Sequence, residues 1–322
     1  MRLDHLNFAV VGAGLMGHGI AQVFAAAGAR VRVYDPDWDA LDSLRERIGR
    51  NLELVGADGS ALELIRPVGS LPDAAEGADL VVEAAPENLE LKQEIFAELD
   101  RVTGDETTLA TNTSVMSVGE IGSRANGRHR IVGTHWWNPP YLIPLVEVVE
   151  AEGTSERTVR RTIEILEAAG KSPVHVRRDV PGFVGNRLQH AMWREAFALI
   201  DEGVCEPATV DTVVRDGFGA RLAVLGPVEN ADLIGLDLTR SIHEYVLPHL
   251  GRSTEPARGL SDRVERGELG MKSGRGYLDW EEDAADRAAG RLIKHLLAGA
   301  GADRQPDGGS VITPATSGGG ER

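Results

Sequence analysis

"FAVVGAGLMGHGIAQVFAAAGARVRVYDPD", residues 8–37, decides the fold. An apolar run from Phe8 to Val11 ends at glycines spaced G-x-G-x-x-G, Gly12, Gly14 and Gly17. Apolar residues at helical spacing follow, and then a second apolar run, Val31 to Tyr34, closed by Asp35. Each part has a physical task in holding a dinucleotide. The first glycine permits a tight turn out of the strand, the second lets a pyrophosphate approach the backbone, and the third lets the helix pack closely on the strand. The helix start presents free N–H groups and the positive end of its dipole to the phosphates. Three glycines alone are a weak signal in a chain with 38 of them, but strand before, helix after and an acid 23 residues beyond the first glycine make it strong. Asp35 is expected to accept from the adenosine ribose hydroxyls and to repel a 2′-phosphate. No Arg or Lys follows it before Arg45, so NAD is expected rather than NADP. His18, just past the third glycine, reads as incidental to the helix start.

Outward from this unit, short apolar runs continue to alternate with helical patterns, as in βαβ units around a parallel sheet. Further strands are expected at Leu80–Glu83, Thr108–Ala110 and Ile131–Thr134, with Leu145–Val149 and Pro173–Val176 following. After "DVPGF", residues 179–183, the period becomes helical, and one long helix is expected from Gly182 to Val204. The expected class is α/β: a Rossmann-type doubly wound sheet over residues 1–180, then a smaller all-helical domain over 181–298. Residues 299–322, rich in Gly, Pro, Ser and Thr, are expected to form a disordered tail.

Composition narrows the function. With Asp+Glu 50 against Lys+Arg 34, the net charge of −16 argues against nucleic acid or an anionic membrane as partner. The lone Cys205 and the lack of an H-E-x-x-H pattern give no metal site to expect. No signal-peptide pattern and no apolar run of membrane-spanning length is present, so a cytoplasmic protein with a small-molecule substrate is expected.

"GTHWWNPPYLIPLVEVVE", residues 133–150, sets His135 at the end of one apolar run and Glu147 inside another. A carboxylate there is costly without a partner. Read alone, a structural ion pair, or a Glu on the polar side of an alternating strand, accounts for them as well as a functional role does. Beside a dinucleotide they read differently, because oxidising an alcohol by hydride transfer requires a base for the hydroxyl proton, and imidazole suits that task. Glu147, one hairpin arm away, would orient the ring and stabilise the imidazolium.

Behind the dinucleotide motif stand, in order, "TNTSVMSVGEI", "GTHWWNPPYLIPLVEVV", "DVPGFVGNRL" and "GMKSGRGYLDW". From about Phe8 to Trp280 the chain resembles the NAD-dependent L-3-hydroxyacyl-CoA dehydrogenase family. The resemblance implies that His135 is a general base, Glu147 its partner, and Ser114 and Asn186 the residues that hold the reacting oxygen. It also implies cofactor contacts for Glu87, Lys92, Asn138 and Lys272, and a homodimer formed through the helical domain. Each role has a structural rival: Ser114 as a turn cap, Asn186 as a first-turn helix residue, the lysines as surface charge.

Two departures bear on substrate. The interval from Pro36 to Ser70 has no Lys, and its Arg45, Arg47, Arg50 and Arg66 are spread among seven acids, a poor site for the 3′-phosphate of CoA. "DGFGARLAVLGPVENADL" looks more like the branch containing lambda-crystallin and L-gulonate dehydrogenase, and Arg221 within it would pair with a substrate carboxylate or simply face solvent. Trp136 and Trp137 either narrow the pocket or fill core. The substrate is thus expected to be a 3-hydroxyacyl-CoA or a related 3-hydroxy acid, with a free carboxylate-bearing hydroxy acid, or NAD binding without turnover as in a crystallin, as alternatives.

Overall fold

The computed structural model describes residues 1–300. Eight strands are β1 (Asn7–Val11), β2 (Arg30–Tyr34), β3 (Ile65–Pro67), β4 (Leu80–Glu83), β5 (Thr108–Thr111), β6 (Ile131–Trp136), β7 (Leu145–Val149) and β8 (Ser172–Val176). The helices among them are α1 (Gly17–Ala26), α2 (Trp38–Asp42), α3 (Leu44–Leu54), α4 (Leu71–Ala75), α5 (Leu89–Val102), α6 (Val118–Ile121) and α7 (Glu156–Ala168). The second half carries α8 (Gly185–Asp201), α9 (Pro207–Asp216), α10 (Gly219–Leu222), α11 (Pro227–Ile234), α12 (Leu236–Val246), α13 (Arg258–Glu265) and α14 (Ala284–Ala300).

All strands join one sheet in the order β3-β2-β1-β4-β5-β6-β7-β8. The order reverses between β1 and β4, the position at which doubly wound sheets open a ligand crevice at the carboxyl ends of their strands. Because helices cover both faces, β1 is apolar from Phe8 to Val11 and these residues alternate between two cores. Phe8 and Val10 meet Phe24 of α1 and Ile48 of α3, whereas Ala9 and Val11 meet Phe96 and Leu99 of α5. Phe8 and Phe24 pack edge to face with centroids 4.7 Å apart.

The expected class and the change from sheet to helix are both found. The hairpin expected between His135 and Glu147 is the antiparallel β6–β7 pair, and β8 runs parallel to β7. Three details differ. The three-residue β3 carries too short a pattern to be read from sequence. The long helix begins at Gly185, not Gly182, because Gly182 and Phe183 take φ of 76° and 50°, outside helical geometry. Finally, α14 reaches Ala300, two residues into the expected tail, and the remainder of that tail lies outside the described residues.

In the second half, α8 packs on α13, α9 on α10 and α11 on α12. No residue of α8 through α13 is buried. No described helix is long and apolar enough to cross a membrane.

Candidate active site

Strands β1, β4, β5 and β6 are parallel, so Gly12, Ala84, Ser114 and the His135 end of β6 gather at one edge of the sheet. Antiparallel β7 enters at the same edge, and its register sets Glu147 directly opposite His135. Both are buried, and His135 Nδ1 lies 2.7 Å from Glu147 Oε2. An ionised carboxylate only accepts, so Nδ1 carries the proton and Nε2 is left with its lone pair. The other Glu147 oxygen, Oε1, accepts the backbone N–H groups of Val184 and Gly185 at 3.0 Å each. Burial pushes the Glu147 carboxyl up, but the imidazole and the two N–H donors outweigh it and hold the group below its ordinary value.

Aromatic rings enclose the imidazole. Trp137 and Phe183 lie 5.2 and 5.7 Å from it, centroid to centroid. The two tryptophans therefore divide the tasks foreseen for them: Trp136 packs into core against Phe24, and Trp137 borders the histidine. Gly185 makes this packing possible, since a Cβ there would lie 2.5 Å from the Trp137 ring and 3.3 Å from Glu147 Oε2.

Ser114 and Asn186 meet across the seam between the halves, with Asn186 Nδ2 donating to the Ser114 carbonyl at 2.7 Å. The Ser114 N–H donates to Glu87 Oε1 at 2.6 Å, and Thr113 Oγ1 donates to Glu87 Oε2 at 2.9 Å. Glu87 thus fixes the loop that carries Ser114. Lys92 sits beneath the crevice, buried, with its ammonium 2.6 Å from the buried Glu83 Oε1 and 3.8 Å from Glu87. Glu83 also accepts from Thr111 Oγ1 and the Ala85 N–H, and Lys92 also donates to the Ala85 carbonyl, so both members of this interior ion pair have further partners. Sequence reasoning assigned Glu83 no role, although an acid closing an all-apolar strand nine residues before a lysine was a usable signal.

Asn138 is exposed on the loop between β6 and β7. Lys171, another residue that sequence reasoning passed over, pins that loop by donating to the carbonyls of Pro140 and Ile143. Burial pushes its ammonium down to about 8. Arg221 and Lys272 are exposed on the helical half, and neither has an ion pair or side-chain hydrogen bond among the described residues. Among these residues no three His, Cys, Asp or Glu side chains are placed to hold a metal.

The glycine turn fits a dinucleotide. Gly12 has φ of 105°, and a Cβ on it would lie 2.6 Å from the Ala84 carbonyl oxygen. One on Gly17 would lie 1.8 Å from the Gly12 carbonyl oxygen, so α1 packs on the strand end as closely as backbone allows. At Gly14 the space a side chain would take is open, which leaves the backbone bare toward the crevice. Asp35 follows directly on β2, and its carboxylate accepts from the N–H groups of Ala13 at 2.7 Å and Asp37 at 2.9 Å.

Arg47 completes the turn by donating to the carbonyls of Ala13 at 2.8 Å and Ala40 at 2.6 Å. Ala13 is therefore held at its N–H by Asp35 and at its C=O by Arg47, a long-range clasp absent from the motif itself. His18 is part of it: Nδ1 bonds the Gly14 carbonyl at 2.7 Å, and burial lowers its pKa, so the neutral ring donates there. Its 3.4 Å approach to Arg47 sets two donors face to face and is no hydrogen bond. The arginines of the interval before Ser70 are mostly engaged: Arg45 on Leu62 and Glu63, Arg50 on Glu46, Arg47 in the clasp.

Comparison with known proteins agrees with this layout. The family model of the 3-hydroxyacyl-CoA dehydrogenase NAD binding domain matches residues 7–180, and that of the 3-hydroxyacyl-CoA dehydrogenase C-terminal domain matches 182–280. A 5-formyl-3-hydroxy-2-methylpyridine 4-carboxylate 5-dehydrogenase of Mesorhizobium japonicum is 34% identical over 91% of this chain and 96% of its own. A probable 3-hydroxybutyryl-CoA dehydrogenase of Bacillus subtilis is 39% identical over 85% of this chain and 96% of its own. A solved structure described as a 5-formyl-3-hydroxy-2-methylpyridine 4-carboxylic acid 5-dehydrogenase, an NAD+-dependent dismutase, superposes with a TM-score of 0.85 at 31% identity, covering 92% of this chain and 97% of that one.

Proposed function

This chain belongs to the 3-hydroxyacyl-CoA dehydrogenase family of NAD-dependent oxidoreductases acting on 3-hydroxy compounds, and from that premise we propose that His135 is its general base and Glu147 the group that aligns it. The observation that carries the reading is the 2.7 Å bond from His135 Nδ1 to a carboxylate anchored by two further N–H donors, which leaves Nε2 as the basic atom.

Bound NAD supplies the hydride acceptor. His135 Nε2 takes the proton of the substrate hydroxyl, and Glu147 stabilises the imidazolium that results. Ser114 and Asn186, already joined through the Ser114 carbonyl, hold the oxygen as it becomes a carbonyl, and in reduction the same groups return the proton. Gly12, Gly14, Gly17 and the N-terminus of α1 receive the pyrophosphate, Asp35 the adenosine ribose, and Asn138 the nicotinamide side of the crevice. Trp137 and Phe183 exclude water around the base. The substrate is a 3-hydroxyacyl compound and the product its 3-oxo form.

A second reading, a free carboxylate in place of a CoA thioester, is favoured by the engagement of Arg45, Arg47 and Arg50 within the chain, which leaves no arginine cluster for a 3′-phosphate. In this reading Arg221 grips the carboxylate. The test is NADH formation against matched 3-hydroxy acids and their CoA esters. Turnover on the esters supports the first reading, turnover confined to free acids supports the second, and none on either refutes both. The unburied helices of the second half support a homodimer formed through that half.

A further inference from the structure

Lys171 takes no part in the proton transfer, yet it stands directly behind the hairpin that carries His135 and Glu147. It lies between α7 and β8. From there its ammonium donates to the carbonyls of Pro140 and Ile143 and sits 5.5 Å from the centre of the Trp136 ring. No carboxylate answers it. The cleft around it is lined by α1, α3, the end of α7 and Tyr141, and Gln22 and Tyr141 are the only other polar side chains there. An ammonium drawn from water into such surroundings is held only by what it bonds, here two backbone oxygens and an aromatic face.

What it bonds is the loop between β6 and β7, residues 137–144, which joins the base to the carboxylate that aligns it and carries Asn138. Within the loop, Leu142 and Ile143 donate their N–H groups to the Pro139 carbonyl and fold it into a tight turn. Toward the rest of the chain, the Pro144 carbonyl accepts the Ser172 N–H, and among the described residues Lys171 is the only side chain that hydrogen-bonds the loop. The turn is seated on α1, where Pro140 lies so close to Gly19 that a Cβ there would be 3.0 Å from the proline Cδ. The same helix begins at the glycine turn, so the pyrophosphate end of the crevice and the loop at its other end share one support. Lys171 holds the loop to that support, and Asn138 lies two positions before the Pro140 it grips.

We propose that Lys171 is a positioning residue for the cofactor: by holding the Pro140 and Ile143 carbonyls it sets the β6–β7 loop on α1 and thereby places Asn138 against the nicotinamide of bound NAD. The inference rests on the dinucleotide reading and divides one ligand into two parts. The adenosine and pyrophosphate are received at the glycine turn, whose own supports are Asp35 and Arg47 on Ala13 and do not involve Lys171. The nicotinamide depends on the loop. Loss of Lys171 should therefore weaken the nicotinamide end alone.

Calorimetric binding of NADH and of ADP-ribose to the full chain tests this, because ADP-ribose carries the adenosine, the pyrophosphate and the second ribose but no nicotinamide. Lys171→Met keeps an unbranched apolar stem and removes the donors. NADH should bind the variant about tenfold more weakly, the size of one charge-assisted hydrogen bond, and ADP-ribose within about twofold of the natural chain. Equal weakening of both would show a role in stability alone, and no weakening of either would show a loop that keeps its place unaided; each overturns the proposal. Should the variant not fold, the natural chain supplies the same comparison, because burial brings the ammonium down to about 8. Tyr141, the one other titratable side chain lining the cleft, is pushed up by burial and keeps its proton. From about pH 7 to about pH 9.5 the affinity for NADH should fall relative to that for ADP-ribose, as the ammonium loses its proton and its charge-assisted bonds. A ratio constant over that range overturns the proposal. A natural chain that binds neither ligand refutes the dinucleotide reading and the proposal with it, a failure distinct from an unchanged ratio.

Discussion

The sheet half and the helical half of this chain bury their apolar residues to very different extents. Among the described residues 29 large apolar side chains are exposed, of which six precede residue 181 and 23 follow it. The sheet half contains two closed cores, one on each face, whereas the helical half, among the described residues, has none of its own. The difference teaches that the glycine turn and the His135–Glu147 pair sit against the packed sheet half, while the helices beyond Asn186 carry their apolar faces outward. Truncating one apolar side chain in each half, buried in the first and exposed in the second, sharpens the contrast most. Phe96→Ala, in the core that β1 shares with α5, should cost about 3–5 kcal/mol in thermal or urea unfolding, independent of protein concentration. In the homodimer proposed above, where a second copy covers it, Leu238→Ala should cost about as much as a buried leucine, roughly 2–5 kcal/mol, and its midpoint should move with concentration. If its cost stays within about 0.5 kcal/mol, the residue is solvent-facing in solution and the contrast ends at the exposed surface itself.

The next largest effects lie in the chemistry of the sheet half. His135→Gln should lower turnover about 10²- to 10⁴-fold and leave NADH affinity nearly unchanged, since the glycine turn has its own supports. Near-normal turnover in that variant would remove His135 from the mechanism. Asp35→Ala acts on the other end of the crevice. It removes the proposed ribose acceptor and one side of the Ala13 clasp, so NADH should bind about tenfold more weakly and discrimination against NADPH should relax. Titration with both nucleotides checks it, and equal affinities before and after would displace Asp35 from the adenosine end.

How much was legible in the sequence follows the same division. The glycine turn, its acid and the strands that frame them are local patterns, and a strand's period of two places His135 against Glu147 once β6 and β7 form a hairpin. What escaped depends on residues far apart in the chain. Arg47 reaches back 34 positions to Ala13, and Gly185 is required by Trp137, 48 positions earlier. Glu83 has meaning only with Lys92 and Thr111 beside it. The start of α8 shifted because two consecutive left-handed residues cannot be read from composition. In the helical half, periodicity shows that a face is apolar but not whether the chain itself buries it, and no residue of α8 through α13 is buried.

Glu147 is where the two halves meet, and it provides the smallest and most specific test. One oxygen holds the histidine of β6, the other the first N–H groups of the segment leading into α8. Its carboxyl is held below the ordinary value of 4.5 despite burial, so near that pH the unfolded chain binds more protons than the folded one. The stabilisation is complete above the unfolded value and is lost as pH falls through the lower, folded one. Glu147→Gln keeps an acceptor for the two N–H groups but removes the charge, and should cost about 1–2 kcal/mol at neutral pH. The gap between wild type and variant should therefore still be open at about pH 5 and close below it, as the wild-type carboxylate itself becomes neutral. Unfolding midpoints measured across that range decide the matter. A gap that persists undiminished at about pH 3 would show that shape rather than charge joins the seam, and the carboxylate would then have no electrostatic hold on either half.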